Sequence, residues 1–277
     1  MKKFTVKENS NLKEFTDAVY PQGSFAYNRL LKRGDIRVNG AKVRANCALN
    51  VGDEVVYFTS KSEEDKPSHA VIYEDDNIFV ADKYSGVSSE ALFSELSAHG
   101  EYYPVHRLDR NTKGLIVLAR NRESEEVLIS AFAERAVDKV YMCLSKNAFK
   151  EDRAVLTAYL KKNAEAGRVR VYPQSAEGRV KIVTEYEVQK AYGDYCLVKV
   201  TLHTGKTHQI RAHLAFIGCP VLGDEKYGDF ALNKKYGATR QILVAKSLVF
   251  HLTGALSYLN DKTFTSNFFP CLPSEEK

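Results

Sequence analysis

From Ala70 onward the chain is written mostly in the two-residue period of β-strands. DKVYMCL (138–144), KIVTEYEV (181–188) and YCLVKVTL (195–202) alternate apolar and polar residues, and GLIVLAR (114–120) opens on an apolar run. Alternation puts one face of a strand against a core, whereas a continuous run is covered on both faces. AVIYEDDNIFVADK (70–83) reads as two more strands around an acidic turn, and helical spacing appears at Ser88 to Ala98, Ser124 to Glu134 and Thr207 to Ile217. Strands interleaved with a few helices predict a mixed α+β domain of about 200 residues.

The first 58 residues have a different texture. Leu12, Phe15 and Val19 share helical spacing, and a second short helix fits Tyr27 to Arg33, ended by Gly34. Brief strands follow: IRV, the Asn39-Gly40 turn, AKV, the Gly52-Asp53 turn and EVVYF. Arg29, Lys32, Arg33, Arg37, Lys42 and Arg44 crowd this module with only Asp35 nearby, which predicts a basic face. TSKSEEDKPS (59–68) has no apolar residue and reads as a linker. The expected organisation is a module at 1–60, a linker at 61–69 and a larger domain at 70–277.

A chain of 277 residues can bury a core without covalent help. Its net charge of +5 permits a polyanionic partner without demanding one, so the placement of charge carries the argument. No apolar stretch approaches the ~20 residues that cross a bilayer, and MKKFTVKENSN has no apolar run of the secretory kind, so no membrane is expected as a partner. Five scattered cysteines with no CxxC pair predict a reduced, cytoplasmic protein without a structural zinc site.

Two stretches concentrate chemistry. In VHRLDRNTKGLIVLAR (105–120), Asp109 stands among His106, Arg107, Arg110 and Lys113, just before a buried strand that Gly114 opens. Neighbouring cations favour the carboxylate, and a positioned carboxylate acts as base or nucleophile; taken alone, the loop reads first as a surface turn with solvated charges. In TLHTGKTHQIRAHLAFIGCPVLGDEKYG (201–228), Thr207 is the expected N-cap of a helix on which Ile210, Leu214 and Ile217 share the core side. Arg211 is then free to reach a carboxylate or phosphate, and His208 stands three residues before it. His203, His208 and His213 lack metal-ligand spacing and read as hydrogen-bonding or packing residues. Tyr141 lies on the strand face opposite Val140, as a core tyrosine or as a platform for an extruded base.

HRLDRNTKGLIVLAR, DKVYMCL and TGKTHQIRAHLAFIGCPVLGDEKYG resemble, in the same order and at similar spacing, blocks of the RluA family of RNA pseudouridine synthases. With EDDNIFVADK the resemblance covers about residues 70–250, and GSFAYNRLLKRGDIRVNGAKV with VGDEVVYF resembles the small S4-like RNA-binding module that often precedes that domain. The resemblance implies a largely antiparallel central sheet with an RNA cleft across it. It implies a cofactor-free isomerisation of uridine in structured RNA, with ribosomal RNA ranked above transfer RNA and monomer as the default state. Asp109 matches the catalytic aspartate, Tyr141 the tyrosine that stacks on the target base, Arg211 the basic partner of the aspartate, and Arg107 the arginine that fills the gap left by the flipped nucleotide. Lys206 and His208 fall in the same block and join the expected RNA contacts.

The chain departs from the family pattern at Tyr84, where a proline is usual, at Lys113, where a small hydroxyl residue is usual, and at Lys206, where an arginine is frequent. Lys113 is expected to add positive charge near Asp109. Two other readings compete: a non-catalytic RNA-binding or ribosome-assembly factor, and a glycosidase-type enzyme. Retention of Asp109, Tyr141 and Arg211 argues against the first, and the lack of a second well-placed carboxylate against the other.

Overall fold

The computed structural model describes residues 1–20, 23–58, 67–163 and 167–275. They form two compact units, residues 1–68 with 87–101, and residues 69–86 with 102–277.

The first unit runs β1 (Lys2–Thr5), β2 (Ser10–Asn11), α1 (Leu12–Val19), α2 (Gly23–Arg33), β3 (Ile36–Val38), β4 (Ala41–Val43), β5 (Ala48–Leu49), β6 (Glu54–Tyr57) and α3 (Ser89–Leu96). β1-β6-β3-β4 make an antiparallel sheet, and β2 pairs with β5. A capping box starts α1: Asn11 Oδ1 accepts from the Glu14 N–H at 3.0 Å while the Glu14 carboxylate accepts from the Asn11 N–H. Leu12 and Phe15 face inward as their spacing predicts, but Val19 is exposed. The helix stops at Val19, and the buried Tyr20 takes the inward place. Asn39 and Gly40 both have positive φ, 50° and 80°, as a type I′ hairpin turn requires, and this sets Arg37 opposite Lys42. The linker expected at 61–69 lies outside the described residues as far as residue 66.

The second unit runs β7 (His69–Glu74), β8 (Ile78–Lys83), β9 (Tyr103–Pro104), β10 (Lys113–Ala119), α4 (Arg122–Glu134), β11 (Val137–Lys146), β12 (Arg153–Asn163), β13 (Arg168–Tyr172), β14 (Val180–Ala191), β15 (Tyr195–Leu202), α5 (Gln209–Phe216), α6 (Phe230–Lys235), β16 (Leu243–Phe250), a 3-10 helix (Gly254–Leu259) and β17 (Thr263–Thr265). One large sheet has the order β13-β12-β14-β15-β11-β16-β10-β8-β7, with β9 beside β10 and β17 beside β16. Among the described residues its pairings are antiparallel except β10 with β16. The fold is therefore α+β with a mixed, mostly antiparallel sheet.

Two helices cover the sheet face that carries the site. Leu128 and Ala131 of α4 pack on Ile78, Val80, Leu115, Val117 and Phe250. Ile210 and Leu214 of α5 pack on Cys143, Val198, Val200 and Leu243, with Ile217 partly buried against them. The apolar run 115–119 is fully buried, because β10 lies between β16 and β8 inside the sheet.

Candidate active site

Between α4, β11 and the segment 202–211 lies a cavity of about 470 Å³, all of it within the second unit. Arg107, Asp109, Tyr141, Lys206, His208 and Arg211 line it, so the six residues expected for the site in this unit meet at one place. Arg29, Lys32, Arg33, Arg37, Lys42 and Arg44 belong to the first unit.

The Asp109 loop is tied down by backbone. Asp109 O accepts from the Thr112 N–H at 3.0 Å, Arg110 O accepts from the Gly86 N–H at 2.9 Å and from the buried Lys83 ammonium at 3.1 Å, and Asn111 O accepts from the Ser85 hydroxyl at 3.2 Å. The chain then enters β10 at Gly114, whose φ is 105°; a β-carbon there would stand 2.3 Å from Ala245 O on β16. Only glycine fits both the backbone and that approach.

Arg211 comes from the first turn of α5 and is buried between two carboxylates. Its Nε and Nη2 donate to Asp224 at 2.7 and 2.9 Å, and its Nη1 donates to Asp109 Oδ2 at 2.8 Å. Asp224 also accepts from the backbone N–H groups of Lys226 and Tyr227, at 2.8 and 3.1 Å. Burial works against the Asp224 charge, but the bonds and charge of Arg211 prevail and hold its pKa below the ordinary value. Burial likewise works against the Arg211 charge, and the two carboxylates raise its pKa. Asp224 thus aims the guanidinium, leaving one arm for Asp109.

Asp109 keeps its other oxygen towards the cavity. The nearest cationic candidate, His208 Nε2, is 3.9 Å from Oδ1, beyond hydrogen-bond range. His208 Nδ1 lies 2.9 Å from the Tyr227 hydroxyl, which itself accepts from the Val169 N–H at 2.8 Å. Burial lowers the His208 pKa against the opposing pull of Asp109. Tyr141 projects from β11 into the same space; burial, and then the charge of Asp109, raise its pKa, so its hydroxyl is protonated at neutral pH. A carboxylate held on one oxygen and open on the other, facing an aromatic ring, can attack or deprotonate a flat, uncharged reactant.

Some expectations change. Thr207 does not cap α5: His208 is the N-cap residue, with φ 54° and no side-chain cap bond, and the Gln209 side chain instead ties the entering loop through the Lys206 N–H at 3.1 Å and the Thr204 hydroxyl at 2.9 Å. Lys113 is not among the residues lining the cavity; its ammonium lies 5.6 Å from the Phe268 ring centre, on which Tyr84 also packs edge-on. His106 accepts from the Val117 N–H at 2.8 Å, stacks on Phe132, and is pushed down to about 3 by burial, so it holds β10 as a neutral ring. His203 pairs with Glu185, and His213 sits 3.0 Å from the Thr184 hydroxyl. Asp224 and Tyr227 complete the site, beyond the residues expected for it. Their signal was the Gly-Asp step in VLGDEKYG: Gly223 has φ 80°, and a β-carbon there would stand 2.1 Å from Arg240 O.

Residues 65–216 match the RNA pseudouridylate synthase family, and the chain belongs to that family of isomerases, which act on RNA. An uncharacterised RNA pseudouridine synthase of Aquifex aeolicus is 36% identical over 249 residues, covering 80% of this chain and 78% of that one. The ribosomal large subunit pseudouridine synthase C of Vibrio cholerae is 30% identical over 251 residues, with the same coverage. Among solved structures, human RNA pseudouridylate synthase domain containing 1 superposes with a TM-score of 0.62 at 24% identity, over 75% of this chain and 86% of that one, a likeness of fold.

Proposed function

We propose that this isomerase converts a uridine of ribosomal RNA to pseudouridine, with Asp109 as the catalytic group and no cofactor. The ion pair between Arg211 and Asp109, at 2.8 Å in a cavity that Tyr141 also lines, carries the reading. Family membership supplies the reaction: the N-glycosidic bond breaks, the uracil turns while bound, and carbon 5 is rejoined to the ribose. Asp109 Oδ1 attacks the sugar or takes its 2′ proton, Tyr141 stacks on the base, and Arg107 occupies the gap the base leaves. Extruding a base costs a few kcal/mol, and a planar cation in the vacated stack offsets part of it. Lys206 and His208 add contacts at the mouth, and the basic face of an S4-like module adds sequence-independent affinity. The names of the relatives from Vibrio and Escherichia coli, ribosomal large subunit pseudouridine synthase C, support ribosomal over transfer RNA as substrate; the reading places a monomer in the cytoplasm.

Tritium release from transcripts labelled at carbon 5 of uridine tests the reading. The parent should release tritium from ribosomal RNA with no cofactor added, and Asp109→Ala should release none while still binding RNA. Equal release by the two proteins would remove Asp109 from the mechanism, and no release from any RNA by the parent would overturn the assignment.

A further inference from the structure

The wall of the cavity on the α4 side carries two cations that the reaction above does not use. Lys139 stands two residues before Tyr141 on β11, on the same face and about 7 Å along the strand. It is 8% exposed, and its ammonium donates to Val137 O at 2.9 Å, with the Phe132 ring 5.9 Å away. An ammonium has three donors, and among the described residues no other acceptor meets this one. The second cation is Arg135, which ends α4 with φ 67° and is exposed at the cavity's edge. Helix ends in that left-handed conformation favour glycine or asparagine, so the backbone tolerates an arginine here without asking for one.

Among the described residues neither cation makes an ion pair with a carboxylate. Asp109, which shares the cavity, is held by Arg211; Asp138 is on the opposite strand face, where His251 Nε2 stands 2.8 Å away; Glu134 accepts from Ser130. Burial works most against the Lys139 charge; Asp138 favours it, and the charge of Arg135 works against it. An anion with several acceptor oxygens relieves both penalties.

We propose that Lys139 and Arg135 form a phosphate subsite, which takes a backbone phosphodiester of the RNA strand whose nucleotide enters the cavity. The subsite rests on the reading of the cavity as an RNA pseudouridine synthase site, and deepens it. Its spacing from Tyr141 places the phosphate about one nucleotide from the base that stacks there. The contact carries no sequence information; it fixes the register of the strand before the base is extruded.

The test uses the full chain, Lys139→Met and Arg135→Gly, with RNA affinity measured across a salt series and thermal melting alongside. Each variant should bind roughly tenfold more weakly at low salt, and its slope of log affinity against log salt should be shallower by about 0.7 to 0.9. Arg135→Gly relieves the backbone, so it should melt no lower than the parent while binding less tightly, opposite signs that a structural role does not produce. Slopes equal to the parent's would overturn the subsite, as would slopes that fall only with the melting temperature in both variants. Tritium release by the parent judges the enzymatic reading separately, since the slopes decide the subsite whether or not release occurs.

Discussion

Arg211 shows how much one side chain can organise when it is buried between two acids. Its pairing with Asp224 is almost fully enclosed, the side chains being 7% and 0% exposed, so removing one partner strands a charge away from water. Asp224→Asn should therefore lower unfolding stability by roughly 3 kcal/mol and also cut turnover, because the guanidinium loses its aim. Urea unfolding beside tritium release checks this, and a variant with parental stability would show that Asp224 is not needed to seat Arg211. His213 gives a second prediction. Burial pushes its pKa down to about 4, whereas the unfolded chain binds that proton near 6.5. The unfolded state thus holds more protons between these values, so stability is intact above pH 6.5 and declines as pH falls towards 4, by on the order of 3 kcal/mol from this group. The urea midpoint should drop along a series from pH 7 to 4.5, and His213→Gln should make the drop shallower.

At the scale of elements, the site depends on two places where chain segments nearly touch. Gly114 lets β10 leave the Asp109 loop against β16, and Gly223 lets the chain turn under Arg240 just before Asp224. An added β-carbon at either would stand within about 2.3 Å of a backbone oxygen, so the neighbouring strand or loop must shift. Gly114→Ala and Gly223→Ala should each destabilise the fold by more than about 2 kcal/mol and lower activity beyond the stability loss, as followed by thermal melting and tritium release at a temperature where the variants are folded. Helix and strand identities were legible because they depend on local periodicity: the apolar run at β10, the Asn39-Gly40 turn and the core side of α5 all follow from a few adjacent residues. The start of α5 was less so. His208 takes a left-handed backbone there, and the Gln209 side chain, bonded to Thr204 and Lys206, does the tethering assigned to Thr207.

For the whole molecule, the basic residues expected to form an RNA-binding face on the first unit give a further prediction. In the first unit Arg37 and Lys42 stand directly opposite on β3 and β4, and the stems of Lys42 and Arg44 lie against Gly34 at the end of α2. Like charges facing across a hairpin cost a few tenths of a kcal/mol, which contact with RNA phosphates would reverse. The double variant Lys42→Glu, Arg44→Glu should keep the fold, weaken RNA binding and flatten its salt dependence; an unchanged slope would remove this face from the RNA contacts. Charge reversal is a cleaner probe than deleting residues 1–60, since α3 packs in the same unit and would lose its partners.

The amino-acid sequence by itself determined the kinds of element, the mixed α+β class, the family, and the residues Asp109, Tyr141 and Arg211 as a group, because periodicity and block order are properties of neighbouring residues. The tertiary structure decided what those residues touch. Asp109 and Arg211 are 102 positions apart, and their meeting depends on α5 packing across the sheet from the β10 loop. Lys113 lies against Phe268 and not in the cavity, and Asp224 is the second acid of Arg211. A side chain's direction is set by the elements that close over it, and no stretch of sequence contains both.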